Sequence, residues 1–272
     1  MLKDITVGQY FPGNSFIHKL DPRVKIIITV LFIVSLFFIN SYIPYLFIVA
    51  YIYLVTKISK IPIRYILKGI KPLMFIILIT FFINVFMTKG EVLISIGSLQ
   101  ISKEGLYIGV FMALRLIFLI TGTSLLTLTT SPISLTDGIE ELLSPFKKIG
   151  LPAHELAMMM TIALRFIPTL LEETDKIMKA QMARGADFES GNILNRAKSL
   201  VPLLVPLFIN AFRRAEELAT AMEARCYRGG ENRTRLNELK LDKTDIVSLV
   251  SMIIFFGLII SSKYLLRWIW ET

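Results

Sequence analysis

Histidine and cysteine are nearly absent from the sequence, which excludes several kinds of site. Only 2 His and 1 Cys occur among 272 residues, too few for a His/Cys metal site or a disulfide framework. The sequence also lacks the Gly-x-x-x-x-Gly-Lys-Ser/Thr loop that binds nucleotide phosphates. We therefore expect no metal site, no nucleotide site and no other cofactor in the chain itself.

A single basic face is missing too, although the net charge is +9. Residues 131–243 contain 16 Lys and Arg against 15 Asp and Glu. The excess positive charge lies beside the apolar runs, where it marks the cytoplasmic side of a membrane. A nucleic-acid partner is therefore not expected. The first apolar run has no A-x-A-like site behind it, so we also expect no cleavable signal peptide.

Long apolar runs are what the sequence has in place of these features. Hydrophobic residues make up 54% of the chain and the mean hydropathy is +0.64, so the expected surroundings are the lipid bilayer. Asn40, Ser41 and Pro44 interrupt the first run, which favours two short spans there over one long kinked helix. Five transmembrane helices are predicted, at residues 24–39, 42–56, 71–88, 105–130 and 245–270.

The charges that flank these spans predict their orientation. Positive residues precede the first span and lie between the second and third, so both segments should be cytoplasmic. The loop at 89–104 has balanced charge and should lie outside, with a β-hairpin at 92–102. The N-terminus is then cytoplasmic and the C-terminus outside, where Trp268 and Trp270 would be interfacial anchors. Asp21 and Pro22 should cap and open the first span.

The predicted fold is therefore an all-α, polytopic membrane protein with three cytoplasmic helices inserted before the last span. Its three regions are a membrane region of four spans (1–130), a cytoplasmic region (131–243) and a last span (244–272). The first cytoplasmic helix is predicted over about 134–147, ending before Gly150. The second runs from His154 to a stop at Gly185, with a kink at Pro168.

The third cytoplasmic helix repeats the design of the second and should stop at Gly229-Gly230. Pro202 and Pro206 lie in its apolar first half, which could be bent or embedded in the membrane. Favourable charge pairs four residues apart are predicted on the exposed faces of these two helices. They are Glu172 with Lys176, Asp175 with Lys179, and Arg213 with Glu217.

The apolar faces of the two long helices are rich in Met and Ala. Met side chains repack around different surfaces, and small residues let another helix approach closely. These faces either bury each other as a helical hairpin or form a surface for a partner. The predicted contact surface consists of Met159, Met160, Ala163, Ile167, Ala211, Ala215, Ala219 and Met222.

Both long helices end in an Ala-Arg-small tripeptide: Ala183-Arg184-Gly185 and Ala224-Arg225-Cys226. One arginine at a helix C-terminus is explained by the helix dipole. Two copies with small neighbours indicate more, because each guanidinium stands clear of its helix and can pair with a carboxylate in a partner. Arg115 is the one clear charge within the spans, and it is either satisfied by backbone carbonyls or contacts a partner subunit or a lipid phosphate.

Several segments in this order resemble the T component of energy-coupling factor transporters, the membrane scaffold of a class of ABC importers. They are "HKLDPRVK" (18–25), "ALRFIPTLLEE" (163–173), "MARGAD" (182–187) and "VPLFINAFRRAEELATAMEARCY" (205–227). The resemblance implies a non-catalytic subunit in the cell membrane of a prokaryote. Its partners would be two cytoplasmic ATPase subunits, which hold ATP and Mg²⁺, and an exchangeable substrate-binding membrane subunit.

The resemblance also assigns roles to residues. Ala183, Arg184 and Gly185 would dock on one ATPase, and Ala224, Arg225 and Cys226 on the other. Cys226 departs from the family's glycine, so its role in stopping the helix is in question. The Met/Ala surface would contact the substrate-binding subunit and move as ATP closes the ATPases, releasing a vitamin or similar micronutrient inward.

Three alternatives are kept beside this interpretation. The first is a dedicated T component of a cobalt or nickel importer in the same family. The second is an intramembrane enzyme, for which the required cluster of Asp, His or Cys is not seen; "EETD" at 172–175 is better explained as a solvated helix face. The third is a complete channel or secondary transporter, which predicts internal repeats with polar linings.

Overall fold

The structure is a computed structural model, and it describes residues 10–39, 41–96, 99–186, 188, 193–229 and 239–271. Side chains are described for these residues except 94–96, 99–100, 193–197 and 262–271. The described residues form two compact units. One consists of residues 10–138 and 239–271, and the other of residues within 139–229.

Ten α-helices and one small hairpin make up the described residues, so the prediction of an all-α polytopic membrane protein is confirmed. The helices are α1 (Phe16–Lys19), α2 (Pro22–Phe38), α3 (Ile43–Ser59), α4 (Ile63–Ile70), α5 (Met74–Met87), α6 (Lys103–Thr129), α7 (Pro132–Leu143), α8 (Ala153–Ala183), α9 (Ile193–Ala224) and α10 (Lys243–Glu271). Short 3-10 turns at Lys71–Leu73 and Ser144–Ile149 follow α4 and α7. The strands are β1 (Val92–Ile96) and β2 (Leu99–Ser102).

Four helices of the described residues are long and apolar enough to cross a membrane, and α3 is a shorter apolar helix. The four are Ile63–Met87, Lys103–Thr129, Ala153–Ala183 and Lys243–Ser261. The third of these is α8, which was predicted to be cytoplasmic. Its second half carries five charged residues within Glu172–Lys179, so the apolar part is its first half. The cytoplasmic position of α8 stays a prediction.

The first apolar run forms two helices, α2 and α3, as predicted. Asp21 caps α2, since its side chain accepts a hydrogen bond from the Arg23 N–H at 2.8 Å, and Pro22 is the first helical residue. The third span begins earlier than predicted, because helix and 3-10 turn are continuous from Ile63 to Met87. The predicted cytoplasmic loop is therefore largely the amphipathic α4, whose Ile66 and Ile70 are buried.

The core of the first unit lies among α2, α3, α6 and α10. Its buried side chains come from all four helices and include four aromatic residues, a residue type that buries a large apolar area. They are Phe32, Leu36, Ile39, Tyr45, Ile48, Phe111, Phe118, Met252 and Ile259. The last helix thus packs with the first spans, and α10 contacts both α2 and α3.

The predicted hairpin is present between α5 and α6. Val92 pairs with Ser102 and Ile96 with Leu99 in an antiparallel ladder. Its turn residues, Gly97 and Ser98, lie outside the described residues. The side chains of Trp268 and Trp270, the predicted interfacial anchors, also lie outside the described side chains.

The second unit contains the last residues of α7 together with α8 and α9, and the predicted boundary at residues 131–243 stays a prediction. The helix predicted over 134–147 is shorter, since α7 ends at Leu143 and continues as the 3-10 turn. Gly150 ends that turn with φ +89°, a conformation that suits glycine. Pro168 lies inside α8, and Pro202 and Pro206 lie inside α9, without ending either helix. The kink at Pro168 stays a prediction.

Candidate docking site at the ends of the two long helices

The end of α8 is a Schellman motif built on Gly185. The Ala186 N–H donates to the Gln181 carbonyl and the Gly185 N–H to the Met182 carbonyl, both at 3.0 Å. Gly185 has φ +89°, the left-handed conformation that this motif needs. Arg184 is the C-cap residue and is exposed. The predicted helix stop at Gly185 is confirmed.

The end of α9 has the same hydrogen bonds at equivalent positions. The Tyr227 N–H donates to the Met222 carbonyl at 3.0 Å and the Cys226 N–H to the Glu223 carbonyl at 2.8 Å. Cys226 takes the left-handed position, with φ +57°. Arg225 therefore corresponds to Arg184 in backbone position as well as in sequence, and it is also exposed.

The predicted stop of α9 at Gly229-Gly230 is wrong. The helix ends at Ala224, and Cys226 adopts the conformation expected of the glycine that it replaces. Gly229 also has a positive φ, of +85°, but it lies beyond the Schellman motif. Gly230 lies outside the described residues. The small Cys side chain tolerates the left-handed region at a modest cost in free energy.

An ion pair between the helices joins α8 and α9, which pack against each other. Arg214 donates to a Glu173 carboxylate oxygen, and both side chains are mostly buried. The other Glu173 oxygen is buried and accepts no hydrogen bond from a described residue. "EETD" is therefore only partly a solvated face, since Glu173 lies in the contact between the helices while Glu172 is exposed.

The predicted charge pairs along each helix are not among the ion pairs of the described residues. Sequence spacing favoured the neighbours on one helix and missed the pair between two helices. The available sequence signal was the doublet Arg213-Arg214. In the structure, Arg213 is exposed, whereas Arg214 is half-buried and bonded to Glu173 of α8. A contact between side chains also links α7 to α8, where His154 Nδ1 lies 2.9 Å from a Glu140 carboxylate oxygen, within hydrogen-bond distance.

The predicted Met/Ala surface is mostly exposed within this unit. Met159 and Met160 are 56% and 43% exposed, and Ala163, Ile167, Ala215 and Ala219 are also exposed. Ala211 and Met222 are half-buried. The two helices therefore do not cover each other's apolar faces completely, which is the arrangement required of a surface for a partner.

Sequence reasoning missed a larger apolar surface on the first half of α9. Phe212 is 72% exposed, and six more large apolar side chains before it are exposed. Sequence periodicity alone did not reveal them, because every residue from Leu200 to Ile209 is apolar. The seven are Leu200, Val201, Leu204, Val205, Phe208, Ile209 and Phe212.

Arg115 is held by groups within the first unit. Its Nη2 donates to the Ile39 carbonyl, the C-cap of α2, at 2.9 Å. Its guanidinium carbon lies 5.0 Å from the centre of the Phe111 ring and 5.6 Å from that of Phe37, within cation–π range. One backbone carbonyl thus accepts from Arg115, as the first alternative requires, and contact with a partner subunit or a lipid phosphate stays a prediction. Its buried Nε has no described partner.

Asp245 was not singled out from the sequence, yet it joins the last span to the first. One carboxylate oxygen accepts from the Asp21 N–H and the other from the Asp242 N–H, both at 2.8 Å. Asp245 is buried, so two backbone donors depend on this single side chain. Its position in "LDKTD", as the third residue of α10, was the available signal, because an acidic side chain there can accept a hydrogen bond from the N–H of the N-cap residue.

No group of three His, Cys, Asp or Glu side chains able to hold a metal ion occurs in the part of the chain that the structure describes.

The family assignment comes from comparisons with known proteins. A family model described as "Cobalt transport protein" matches residues 13–236. The "Energy-coupling factor transporter transmembrane protein EcfT" of Thermosediminibacter oceani is 61% identical over 269 residues, 99% of this chain and 100% of that protein.

Two further relatives carry the same name. The Clostridium kluyveri protein is 61% identical over 265 residues, 97% of this chain and 98% of its own length. The Bacillus subtilis protein is 49% identical over 260 residues, 95% of this chain and 98% of its own length. The chain belongs to the T components of energy-coupling factor transporters.

As a T component, the chain is a multi-pass transporter subunit in a membrane. None of these three relatives' names mentions a metal or an enzyme activity. The dedicated cobalt or nickel importer and the intramembrane enzyme are therefore not favoured. The helix ends, the ion pair between helices and the exposed apolar surfaces are the features of this T component that suit assembly with other subunits.

Proposed function

We propose that this chain is a non-catalytic scaffold that couples two cytoplasmic ATPase subunits to a separate substrate-binding membrane subunit. ATP and Mg²⁺ would be held by the ATPases, and the cargo would be a vitamin or similar micronutrient. Residues 131–243 would lie in the cytoplasm, with the N-terminus inside and the C-terminus outside, as the flanking charges indicate.

The observation that carries the proposal is the shared geometry of the two helix ends. A Schellman motif does not require an arginine at the C-cap, yet both helices combine the motif with an exposed arginine there. An exposed guanidinium beside a left-handed residue projects past the helix end, where it can form a paired hydrogen bond with a carboxylate. Two such ends suit two similar subunits.

The exposed apolar surfaces support a second contact. The Met/Ala surface together with the α9 stripe (Leu200–Phe212) is far more apolar than a solvated helix pair needs. Flexible Met side chains suit partners of differing shape. We therefore assign these surfaces to the substrate-binding subunit, and their adaptability favours exchangeable partners.

Charge reversal tests the docking sites. The full chain is co-purified with its ATPase subunits as wild type, Arg184→Glu, Arg225→Glu and the double variant. Each single change should weaken the complex by about tenfold or more, because a buried charge pair becomes repulsive. The double variant should abolish it.

Arg228→Glu is the matched control, since Arg228 is exposed and lies three residues beyond Arg225, outside the Schellman motif. It should leave the complex intact. If the double variant retains the complex and its transport-coupled ATP hydrolysis, the arginines only complement the helix dipoles, and the docking proposal fails.

A further inference from the structure

An apolar cavity lies at one end of the spans in the first unit. Its volume is about 170 Å³, similar to apolar cavities of about 150 Å³ that stay dry and bind benzene. Phe32, Tyr51 and Leu125 are among the side chains that line it. From Lys25 to Phe32 it follows α2 for roughly 10 Å, at 1.5 Å per residue.

The cavity opens toward the lipid-facing side of the spans. Phe16, Leu54 and Ile58 line it and are exposed. In a bilayer, exposed apolar side chains of transmembrane helices contact acyl chains. A lipid acyl chain can therefore enter the cavity, where it would pack against the apolar lining.

One polar end interrupts the apolar lining. Four hydroxyl groups lie there, and each donates its proton to a backbone carbonyl of its own helix. They belong to Thr29, Thr129, Ser248 and Ser251. These hydroxyls have no proton left for a ligand.

Lys25 is the charged residue among those that line the cavity, and it is only 6% exposed. Its ammonium donates to the His18 and Thr129 carbonyls at 3.0 and 3.1 Å. An ammonium has three protons, so one is left. Both acceptors are neutral, and a buried charge is costly without an anionic partner.

The carboxylates nearest in the fold are already engaged. Asp21 is paired with Arg23 at 2.8 Å. Both oxygens of Asp245 accept backbone N–H groups. Lys25 takes part in none of the ion pairs found among the described residues. Asp245 and Asp21 act on the Lys25 charge through space, but neither accepts its third proton, and an anion that does so would come from outside the described residues.

We propose that this cavity binds an anionic phospholipid of the bilayer, with an acyl chain along α2 and a phosphate oxygen on the Lys25 ammonium. The flanking charges place this end of the spans at the cytoplasmic leaflet, where anionic lipids are found. Lysine is a common phosphate ligand in proteins. This inference is independent of the docking of ATPases.

Native mass spectrometry of the detergent-solubilised full chain tests it, with phosphatidylglycerol or phosphatidylcholine of the same acyl chains added. We expect one phosphatidylglycerol to be retained about tenfold more than phosphatidylcholine, equivalent to about 1.4 kcal/mol. Ser251→Phe, which puts a bulky ring at the rim of the cavity, should abolish retention of both lipids.

Gly257→Phe is the matched control, because Gly257 lies on the same helix with open space around it. It should retain lipid as the wild type does. Lys25→Met should keep the chain contact and lose the preference for phosphatidylglycerol. If Lys25→Met fails to fold, the comparison of Ser251→Phe with Gly257→Phe still tests whether the cavity binds lipid. Equal retention of the two lipids by the wild type, or equal retention by Ser251→Phe and Gly257→Phe, would overturn the proposal.

Discussion

Cys226 has a backbone conformation that most L-residues avoid, with φ +57°. Glycine there would remove the steric cost, so Cys226→Gly should stabilise the end of α9 by about 0.5–1 kcal/mol. Cys226→Val should destabilise it, because a branched side chain is disfavoured at positive φ. Hydrogen exchange of the Tyr227 and Cys226 amides, which make the two capping bonds, measures both effects.

The matching change at the other helix end is Gly185→Ala. A Cβ at Gly185 meets no atom within 4 Å, so the cost comes only from the backbone. We expect about 1 kcal/mol of local destabilisation and faster exchange of the Ala186 amide. Unchanged exchange in both Cys226→Gly and Gly185→Ala would show that the two Schellman motifs do not limit fraying of these helices.

Asp245 is the residue on which the junction of the first and last spans depends. Asp245→Ala leaves the buried Asp21 N–H and the partly buried Asp242 N–H without their acceptors, at a cost of about 2–4 kcal/mol. Asp245→Asn keeps one acceptor oxygen and should lose roughly half as much. The midpoint of thermal unfolding of the purified chain gives the ranking. Asp242→Asn serves as the control, because only the backbone of Asp242 takes part in this contact.

Arg115 stabilises the fold through a contact that is independent of any partner. Arg115→Leu should lower the free energy of unfolding by about 1–3 kcal/mol, because the Ile39 carbonyl loses its charged donor. Complex formation should then fall only in proportion to the folded fraction. Loss of the complex without loss of thermal stability would instead assign Arg115 to a subunit interface.

Among these residues, the sequence was informative where a local rule applies. Asp21 and Pro22 were predictable as cap and first helical residue, and Gly185 as a helix stop, because such roles depend on neighbours in sequence. Asp245 and Arg214 were not, since their partners are distant in the chain. The helix stop at Cys226 was missed because the nearby glycine pair, Gly229-Gly230, was the stronger local signal for the end of α9.

Among the described side chains, one ion pair links the two long helices, and both of its side chains are mostly buried. A double-mutant cycle with Glu173→Gln and Arg214→Gln should give a coupling of about 1–3 kcal/mol in thermal unfolding, because the low solvent exposure strengthens the pair. The control cycle uses Glu172→Gln and Arg213→Gln, whose side chains are exposed. Its coupling should be below about 0.5 kcal/mol. Equal couplings in the two cycles would mean that Glu173 and Arg214 are as solvated as their neighbours.

The existence of most helices was predictable from the sequence, but their first and last residues were less so. The breaks at Ser41 and Pro44 separated α2 from α3, and the alternating residues around Gly97-Ser98 marked the hairpin. The amphipathic α4 was mistaken for a loop, because the four cationic residues between α3 and α5 resemble the positive charge of a cytoplasmic loop. The apolar run of α9 has no alternation of hydrophobic and polar residues, so the sequence does not indicate which of its faces is exposed. Only the packing of the folded helix shows that face.

At the scale of the whole molecule, the described residues divide into one unit that contains the spans and one that contains α8 and α9. Transport coupling requires two states that a partner stabilises differently. In the second unit, the ion pair Glu173–Arg214 fixes one point along two helices of 31 and 32 residues. Arg184 lies 11 residues beyond Glu173, and Arg225 lies 11 residues beyond Arg214, so each end is about 16 Å from the ion pair at 1.5 Å per residue.

A change of crossing angle would therefore move the two ends far more than the region of the ion pair. We expect spin labels at Ala183 and Ala224 to change their separation by several ångströms between nucleotide-free and ATP-bound complexes. Labels at Glu172 and Arg213, next to the ion pair, should change little. Cys226 is the only native cysteine, so Cys226→Gly provides a cysteine-free background that keeps the helix end. Identical distance distributions for the Ala183–Ala224 pair in both complexes would exclude coupling through the crossing of these helices and leave the scaffold as a rigid connector.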